Sequence, residues 1–318
     1  MNFNDKQKEE FSFQDLGTNC EFIIYGCNAK YIGNIGKREV EIFEKNFSSY
    51  DGNSEIGKIN KNSGKLTELS RECFDLIKKS IFYSELTEGF FDITIKPLVN
   101  LWSVGKDNFN IPSDKTINKY RELVDYKKIK LREQSSEIKL NSGQQIDLGA
   151  IAKGYMADKL KDIFITLGVK SGIINLGGNI VLIGSNINEK PWTIGIQDPF
   201  ENRGEYVGIV SLIDKSIVTS GVYERFSIKD NKVYSHIINP KTAYPIVGEI
   251  LSISIISNKS IDGDGLSTGL YILGIEKSLK ILKELNLDGI FITKDKKVII
   301  TEGIRKNFIL TNEEFNIV

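Results

Sequence analysis

The stretch that most restricts how this chain can fold is a change of hydrophobic period at one glycine. Gln145-Ile-Asp-Leu148 reads as the end of a strand, and Gly149 turns the chain. From Ala150 onward Ile151, Tyr155, Leu160, Ile163, Phe164 and Leu167 recur at roughly helical spacing, with Gly168 placed to end the helix. Lys153 falls in the first helical turn, where free N–H groups and the positive end of the dipole already favour an anion. A bound phosphate or carboxylate would explain a cation there, and so would a surface lysine that simply reaches solvent.

A second glycine turn, Ile173-Ile-Asn-Leu-Gly-Gly-Asn179, echoes the first. Around the pair, helical periodicity is expected over 40–47, 54–60, 70–86, 97–102 and 116–124, and over two segments between 261 and 285 split by Gly274. Short strands are expected at 20–25, 129–131, 137–140 and 144–148, with Asn141-Ser-Gly143 as a hairpin turn. More follow at 172–176, 180–184, 192–196, 206–213, 216–218, 225–228, 232–237, 250–257, 289–293, 297–300 and 307–310. Hairpins mixed with helices predict an α+β fold, with mixed and antiparallel sheets and packed helices, rather than a doubly wound parallel sheet.

The chain of 318 residues has 42 basic and 42 acidic side chains, so bulk charge recommends neither nucleic acid nor an anionic membrane as partner. Its three cysteines, Cys20, Cys27 and Cys73, lack CxxC spacing and suggest neither a disulfide framework nor a zinc site. Residues 1–15 read as a polar N-terminal segment ahead of a unit at 16–318, either one large domain or two interleaved halves. Residues 1–10 have no apolar core of a secretory or lipoprotein leader, and no window is long enough to span a bilayer. A cytoplasmic protein is the expectation, with an extracytoplasmic, membrane-anchored one as the alternative if a leader has been removed.

Several segments carry chemistry. In Asp262-Gly-Asp-Gly-Leu-Ser-Thr-Gly269, a helix starting near Asp264 would put Asp264, Ser267 and Thr268 at i, i+3 and i+4, three oxygens on one face. Such a set suits a hard cation such as Mg2+, and equally an N-cap followed by small residues that pack closely. The single histidine, His236, lies in a strand beside the turn Asn239-Pro-Lys-Thr-Ala-Tyr-Pro245. It is either structural or the one side chain suited to proton transfer near neutral pH. Arg225, after a small glycine-containing corner, can grip a phosphate or form a surface ion pair. Gly149-Ala-Ile-Ala-Lys153 is not a P-loop and Asn175-Leu-Gly-Gly-Asn179 is not GxGxxG, which argues against ordinary ATPases and Rossmann dehydrogenases.

Taken in order, nine segments resemble the ApbE family of FAD:protein FMN transferases. They are Leu16-Gly-Thr18, Ser54-Glu-Ile-Gly-Lys-Ile-Asn60, Phe91-Asp-Ile-Thr-Ile-Lys-Pro-Leu-Val-Asn-Leu-Trp102 and Asp147-Leu-Gly-Ala-Ile-Ala-Lys-Gly-Tyr155. Asn175-Leu-Gly-Gly-Asn179, Trp192-Thr-Ile-Gly-Ile196, Thr219-Ser-Gly-Val-Tyr-Glu-Arg225, Ser235-His-Ile-Ile-Asn-Pro240 and Asp264-Gly-Leu-Ser-Thr268 complete the series. The resemblance implies a protein that binds FAD with Mg2+ and passes the FMN half to a Thr or Ser hydroxyl of an acceptor flavoprotein, releasing AMP. It suggests membrane redox-complex subunits or soluble flavoproteins as acceptors.

Carried over by position, the resemblance makes Ala150 (through its carbonyl), Asp264 and Thr268 metal ligands, with Ser267 beside them. Asp147 and Lys153 become FAD contacts, while Leu16, Trp102 and Ile238, and less directly Leu101 and Ser103, line the flavin or adenine pocket. His236 becomes the base that activates the acceptor hydroxyl. The chain departs from the family pattern at Asn239, where Asp is usual, at Ala243, where Gly is usual, and at Gly263 and Gly265, where Ala is usual. Two other activities fit the same residues: an FAD pyrophosphatase giving FMN and AMP, and a non-catalytic flavin-binding protein.

Overall fold

Alternating Phe11 and Phe13 start the fold. In the computed structural model, which describes residues 7–223 and 225–318, they lie on one face of β1 (Lys8–Asp15), an edge strand paired antiparallel with β2 (Thr18–Tyr25). The expected polar N-terminal segment therefore needs correction over residues 8–15, which belong to the main sheet; residues 1–6 lie outside the described residues. Next come α1 (Ala29–Phe47), α2 (Glu55–Lys61), β3 (Leu66–Glu68), α3 (Arg71–Leu86), α4 (Lys96–Trp102) and α5 (Asp114–Arg121). Ser54, Ser70 and Ser113 cap α2, α3 and α5 through their hydroxyls. Helix α1 begins well before the expected residue 40 and runs through Gly33 and Gly36, both buried. In the fold a Cβ on Gly33 would lie 2.0 Å from the Phe11 ring, so glycine is what lets β1 approach the helix.

Strands β4 (Lys130–Arg132) and β5 (Glu137–Lys139) join β3 in a small sheet of order β3-β5-β4. The expected strand at 144–148 is absent: Gln145 makes one isolated bridge to Ile95, and β5 pairs with β3 and β4 instead. A side chain stands in for the missing neighbour. Asn60 donates to the Ile146 carbonyl at 2.9 Å and accepts the Ile146 N–H at 2.7 Å, so the segment is extended without a ladder.

Helix α6 (Ala152–Thr166) leads into β6 (Ser171–Leu176), β7 (Asn179–Ile183), β8 (Trp192–Gln197), β9 (Tyr206–Leu212), β10 (Ser216–Gly221), β11 (Phe226–Lys229), β12 (Lys232–Ser235) and β13 (Ile250–Ser257). The chain closes with α7 (Ser260–Leu273), α8 (Ile275–Glu284), β14 (Asp288–Thr293), β15 (Lys297–Ile300), β16 (Phe308–Leu310) and β17 (Asn316–Ile317). The main sheet has the order β1-β2-β6-β7-β10-β13-β14-β15-β17, and β16-β9-β8 forms a second sheet. Among the described residues the pairs between these strands are antiparallel except β15 with β17, so the expected α+β class with mixed and antiparallel sheets holds.

Strand periodicity decides what covers each face of the main sheet. In β14, Phe291 belongs to the apolar core shared with α1, α3, α6 and α7, while Ile290 and Ile292 belong to a second core with Ile194, Val210 and Phe308 of the smaller sheet. The central strands are thus covered on both faces and read as near-continuous apolar runs. No helix among the described residues is long and apolar enough to cross a membrane.

Candidate active site

Helix α6 opens without a cap of its own, since its N-cap residue is Ile151. Asp264 of α7 supplies one from across the interface: its Oδ2 accepts the Gly154 N–H at 2.8 Å. Asp158 of α6 returns the contact, accepting the Ser260 and Ile261 N–H groups of α7 at 2.7 and 2.9 Å. The two helices satisfy each other's free donors and hold the Asp264 carboxylate at a positive helix end. Close approach makes this possible, because a Cβ on Gly154 would lie 2.6 Å from both the Asp264 Cβ and the Ser260 carbonyl oxygen.

Asp264 is buried, and its second oxygen accepts no hydrogen bond from the described residues. It lines a cavity of about 440 Å3 together with Thr268 and Ala150. Helix α7 starts at Ser260, a turn before the expected start near Asp264. Its rotation brings Asp264 and Thr268 to the cavity wall but turns Ser267 aside. The Ser267 hydroxyl, fully buried, donates to the Asp264 carbonyl at 3.2 Å and accepts from Ser220 Oγ at 2.8 Å. The expectation of three oxygens on one face is corrected to two, with Ser267 bracing the helix behind them. A carboxylate oxygen, a hydroxyl and a backbone carbonyl are the donors that a hard cation takes. Among the described residues no group of three or more His, Cys, Asp or Glu is placed to hold a metal.

Of the other residues expected at the site, Leu16, Ser103, Asp147, Lys153, His236 and Ile238 all line the same cavity. Leu16 and Ser103 hold left-handed backbone, with φ of 50° and 49°, and shape its rim. Leu101 and Trp102 do not line it. Trp102 is buried behind the wall, its indole N–H donating to the Ala243 carbonyl at 2.9 Å and its ring stacked on Tyr234, so it supports Ile238 from behind. Leu101 packs in that same small cluster.

Asp147 accepts the Gly149 N–H at 2.8 Å through one oxygen. Its other oxygen takes Ser49 Oγ at 2.9 Å and Lys96 Nζ at 3.0 Å. Lys96 is nearly inaccessible and also sits 3.3 Å from the centroid of the Tyr50 ring. Sequence reasoning missed Lys96, Ser49 and Tyr50. The available signal was Lys96 as the single charged residue in the stretch from Ile93 to Trp102. Lys153 Nζ donates to the Gly149 carbonyl at 3.0 Å, fixing the cation over the start of α6.

His236 follows directly on β12, half-buried, with Nδ1 3.0 Å from the Arg225 carbonyl. A carbonyl only accepts, so Nδ1 carries the proton and Nε2 is the free acceptor. Burial pushes the imidazole below its ordinary 6.5; the positive charges of Arg225 and Lys153 add to this, against the Arg225 carbonyl contact that raises it. Arg225 itself donates to the Gly17 carbonyl at 2.8 Å and lines the cavity.

The departures in sequence are accommodated. Asn239 Oδ1 accepts the Lys241 and Thr242 N–H groups at 2.9 and 3.3 Å, an acceptor role that needs no charge. Ala243 adopts φ of +64°, the conformation for which glycine is the unstrained choice. At Gly263 and Gly265 a Cβ would meet Val218 at 2.9 Å and the Tyr83 ring at 2.4 Å, so these glycines match bulky neighbours.

A free carboxylate oxygen, fixed cations and a neutral imidazole around one enclosed space form, chemically, a site for a phosphate-bearing ligand beside a base. The chain belongs to the ApbE family, whose model matches residues 16–291. It is 35% identical over 258 residues to the FAD:protein FMN transferase of Klebsiella pneumoniae (strain 342), covering 80% of each chain. To the FAD:protein FMN transferase of Treponema pallidum (strain Nichols) it is 34% identical, over 74% of this chain and 69% of that one. The crystal structure of the ApbE protein of Thermotoga maritima superposes with a TM-score of 0.88 at 27% identity, over 95% of this chain and 99% of that one. The flavin transferase ApbE of Vibrio cholerae gives 0.83 at 26% identity, over 95% and 100%.

Proposed function

We propose that this protein is an FAD:protein FMN transferase, using Mg2+ and FAD to attach FMN to a Thr or Ser hydroxyl of an acceptor protein with release of AMP. The observation that carries the reading is that one cavity wall presents the free oxygen of Asp264 while the same space receives His236 with Nε2 open.

Asp264, Thr268 and the Ala150 carbonyl would hold the cation, which when bound would neutralise pyrophosphate charge. Lys153 and Arg225 supply fixed positive charge to the same ligand. The Asp147–Lys96–Ser49 cluster holds the turn ahead of α6 rigid, so that Lys153 stays aimed. His236 Nε2 takes the proton of the acceptor hydroxyl as its oxygen bonds to the phosphorus of the FMN half. The P–O–P bridge breaks, and AMP leaves with the bridging oxygen.

The test is to incubate protein with FAD, Mg2+ and a candidate acceptor and follow AMP and covalent flavin. His236→Ala is expected to lower transfer by about 10²-fold or more, and Asp264→Ala to abolish the Mg2+ dependence. AMP produced at the same rate without acceptor would identify a pyrophosphatase instead. Intact FAD under all conditions would leave a flavin-binding protein.

A further inference from the structure

The glycine turn between β6 and β7 ends on Asn179, which lines the cavity and is none of the catalytic groups. Gly177 and Gly178 form the turn with φ of 61° and 90°, as a tight hairpin requires. The Gly177 N–H donates to the Asn19 carbonyl at 3.1 Å and the Gly178 N–H to Asn175 Oδ1 at 3.0 Å, so the turn is fixed. Asn179 follows at once, paired with Leu176 on one side and Val218 on the other. Strand alternation puts its side chain on the same face of β7 as Val181, which belongs to the core shared with α6 and α7. There it meets the first residue of α7, whose Ser260 Oγ donates to Asn179 Oδ1 at 3.5 Å. The other end of the amide is empty. Asn179 is 1% exposed, and its Nδ2 has no hydrogen-bond partner among the described residues.

A buried donor with no acceptor is costly, and the open space beside Asn179 is the cavity whose wall it helps to form. The chemistry of the place selects what fills it. Nδ2 only donates, so its partner is an acceptor, and a cation is excluded at that atom. The first turns of α6 and α7 converge beside it, Gly154 packing on Ser260 and Asp264, and two positive helix ends favour an anion. So little of Asn179 shows at the wall that a single oxygen fits and a ring does not. We infer that Asn179 is a further ligand-binding residue, its Nδ2–H donating to a non-bridging oxygen of the FAD pyrophosphate. The identity of that phosphate rests on the transferase reading. The glycine turn sets the register that delivers the amide to the cavity wall. Ser260 holds Oδ1, and so fixes which end of the amide meets the ligand.

The test measures binding rather than turnover. Kd values for FAD and for riboflavin, which has no phosphate, are obtained from flavin fluorescence without acceptor, with and without Mg2+. Wild type is compared with Asn179→Ala and Asn179→Asp, and the melting temperature of each ligand-free protein is recorded. Asn179→Ala is expected to weaken FAD about tenfold, the scale of a hydrogen bond to a charged group, and riboflavin by less than about twofold. Its ligand-free melting temperature should change little, because the bond removed is one that the empty protein does not make. Asn179→Asp sets a carboxylate against phosphate and should weaken FAD further, most plainly without Mg2+, with riboflavin again unchanged. FAD affinity unchanged in both variants would overturn the proposal. So would a lowered melting temperature in Asn179→Ala with FAD and riboflavin weakened alike, the mark of an amide that a buried water satisfies in the empty protein. Tighter FAD binding by Asn179→Asp in Mg2+ would also overturn it, since the side-chain oxygen would then face the site and hold the cation. Failure of wild type to bind FAD under any of these conditions would instead refute the transferase reading, a distinct result.

Discussion

At His236 a single hydrogen bond sets the chemistry. Because Nδ1–H is committed to the Arg225 carbonyl and the ring titrates below 6.5, Nε2 is unprotonated at neutral pH. Transfer should therefore fall on acidification only below that value, as the lowered pKa is crossed. A pH–rate profile of kcat/KM checks this; an acid limb centred above 6.5 would remove His236 as the base. Asp264 separates charge from capping. Asp264→Asn keeps an acceptor for the Gly154 N–H, so the melting temperature should hold, while Mg2+-dependent turnover drops by about 10²-fold. Lys96 answers a different question. Lys96→Met would leave Asp147 partly buried without its cation, at a cost of about 3 kcal/mol. Adding Asp147→Leu should recover part of that in chemical denaturation, which a double-mutant cycle measures.

The elements that aim these residues are α6 and α7, each capping the other. Gly154→Ala would force them apart where no space exists and should destabilise by roughly 1–3 kcal/mol, with loss of turnover as Asp264 shifts. Asp158 gives the pair a pH signature. Burial raises its carboxyl from 3.8 to about 6, against the two α7 N–H groups that favour the charged form. A raised carboxyl contributes stability that is full below 3.8 and is lost as pH rises through about 6. Wild type should therefore lose stability relative to Asp158→Asn between about pH 4 and 6; a flat difference would show that the carboxyl titrates normally. The small-residue run of α7 was legible as a close-packed helix start, and Gly274 as its end. The strand expected over 144–148 was not a strand, because a period-2 apolar run is equally served by the Asn60 side chain in place of a neighbouring strand.

Across the whole molecule, the cavity draws its walls from Leu16 near one end of the chain to Thr268 near the other. A ligand gripping both ends opposes global unfolding. FAD with Mg2+ at about a hundred times its Kd should stabilise by about 2.7 kcal/mol, read as a rise in melting temperature. The Mg2+-dependent part of that rise should vanish in Asp264→Ala. If FAD raised the melting temperature equally with and without Mg2+, the cation would have no place in this site.

Local pattern alone determined much of this protein: most helices and strands, the α+β class, the glycine turn ahead of α6, and the segments that place the chain in its family. Those depend on residues near one another in sequence, where hydrophobic period and backbone preference act. The tertiary structure decided the rest. Phe11 and Phe13 become an edge strand because α1 is there to cover them, and Ser267 turns away because α7 begins a turn earlier than its sequence suggested. Lys96 meets Asp147 across 51 residues, and Asp264 caps a helix 110 residues away. Such pairings arise because burial makes an unsatisfied charge or N–H costly, and the partner is whichever group packing brings within reach.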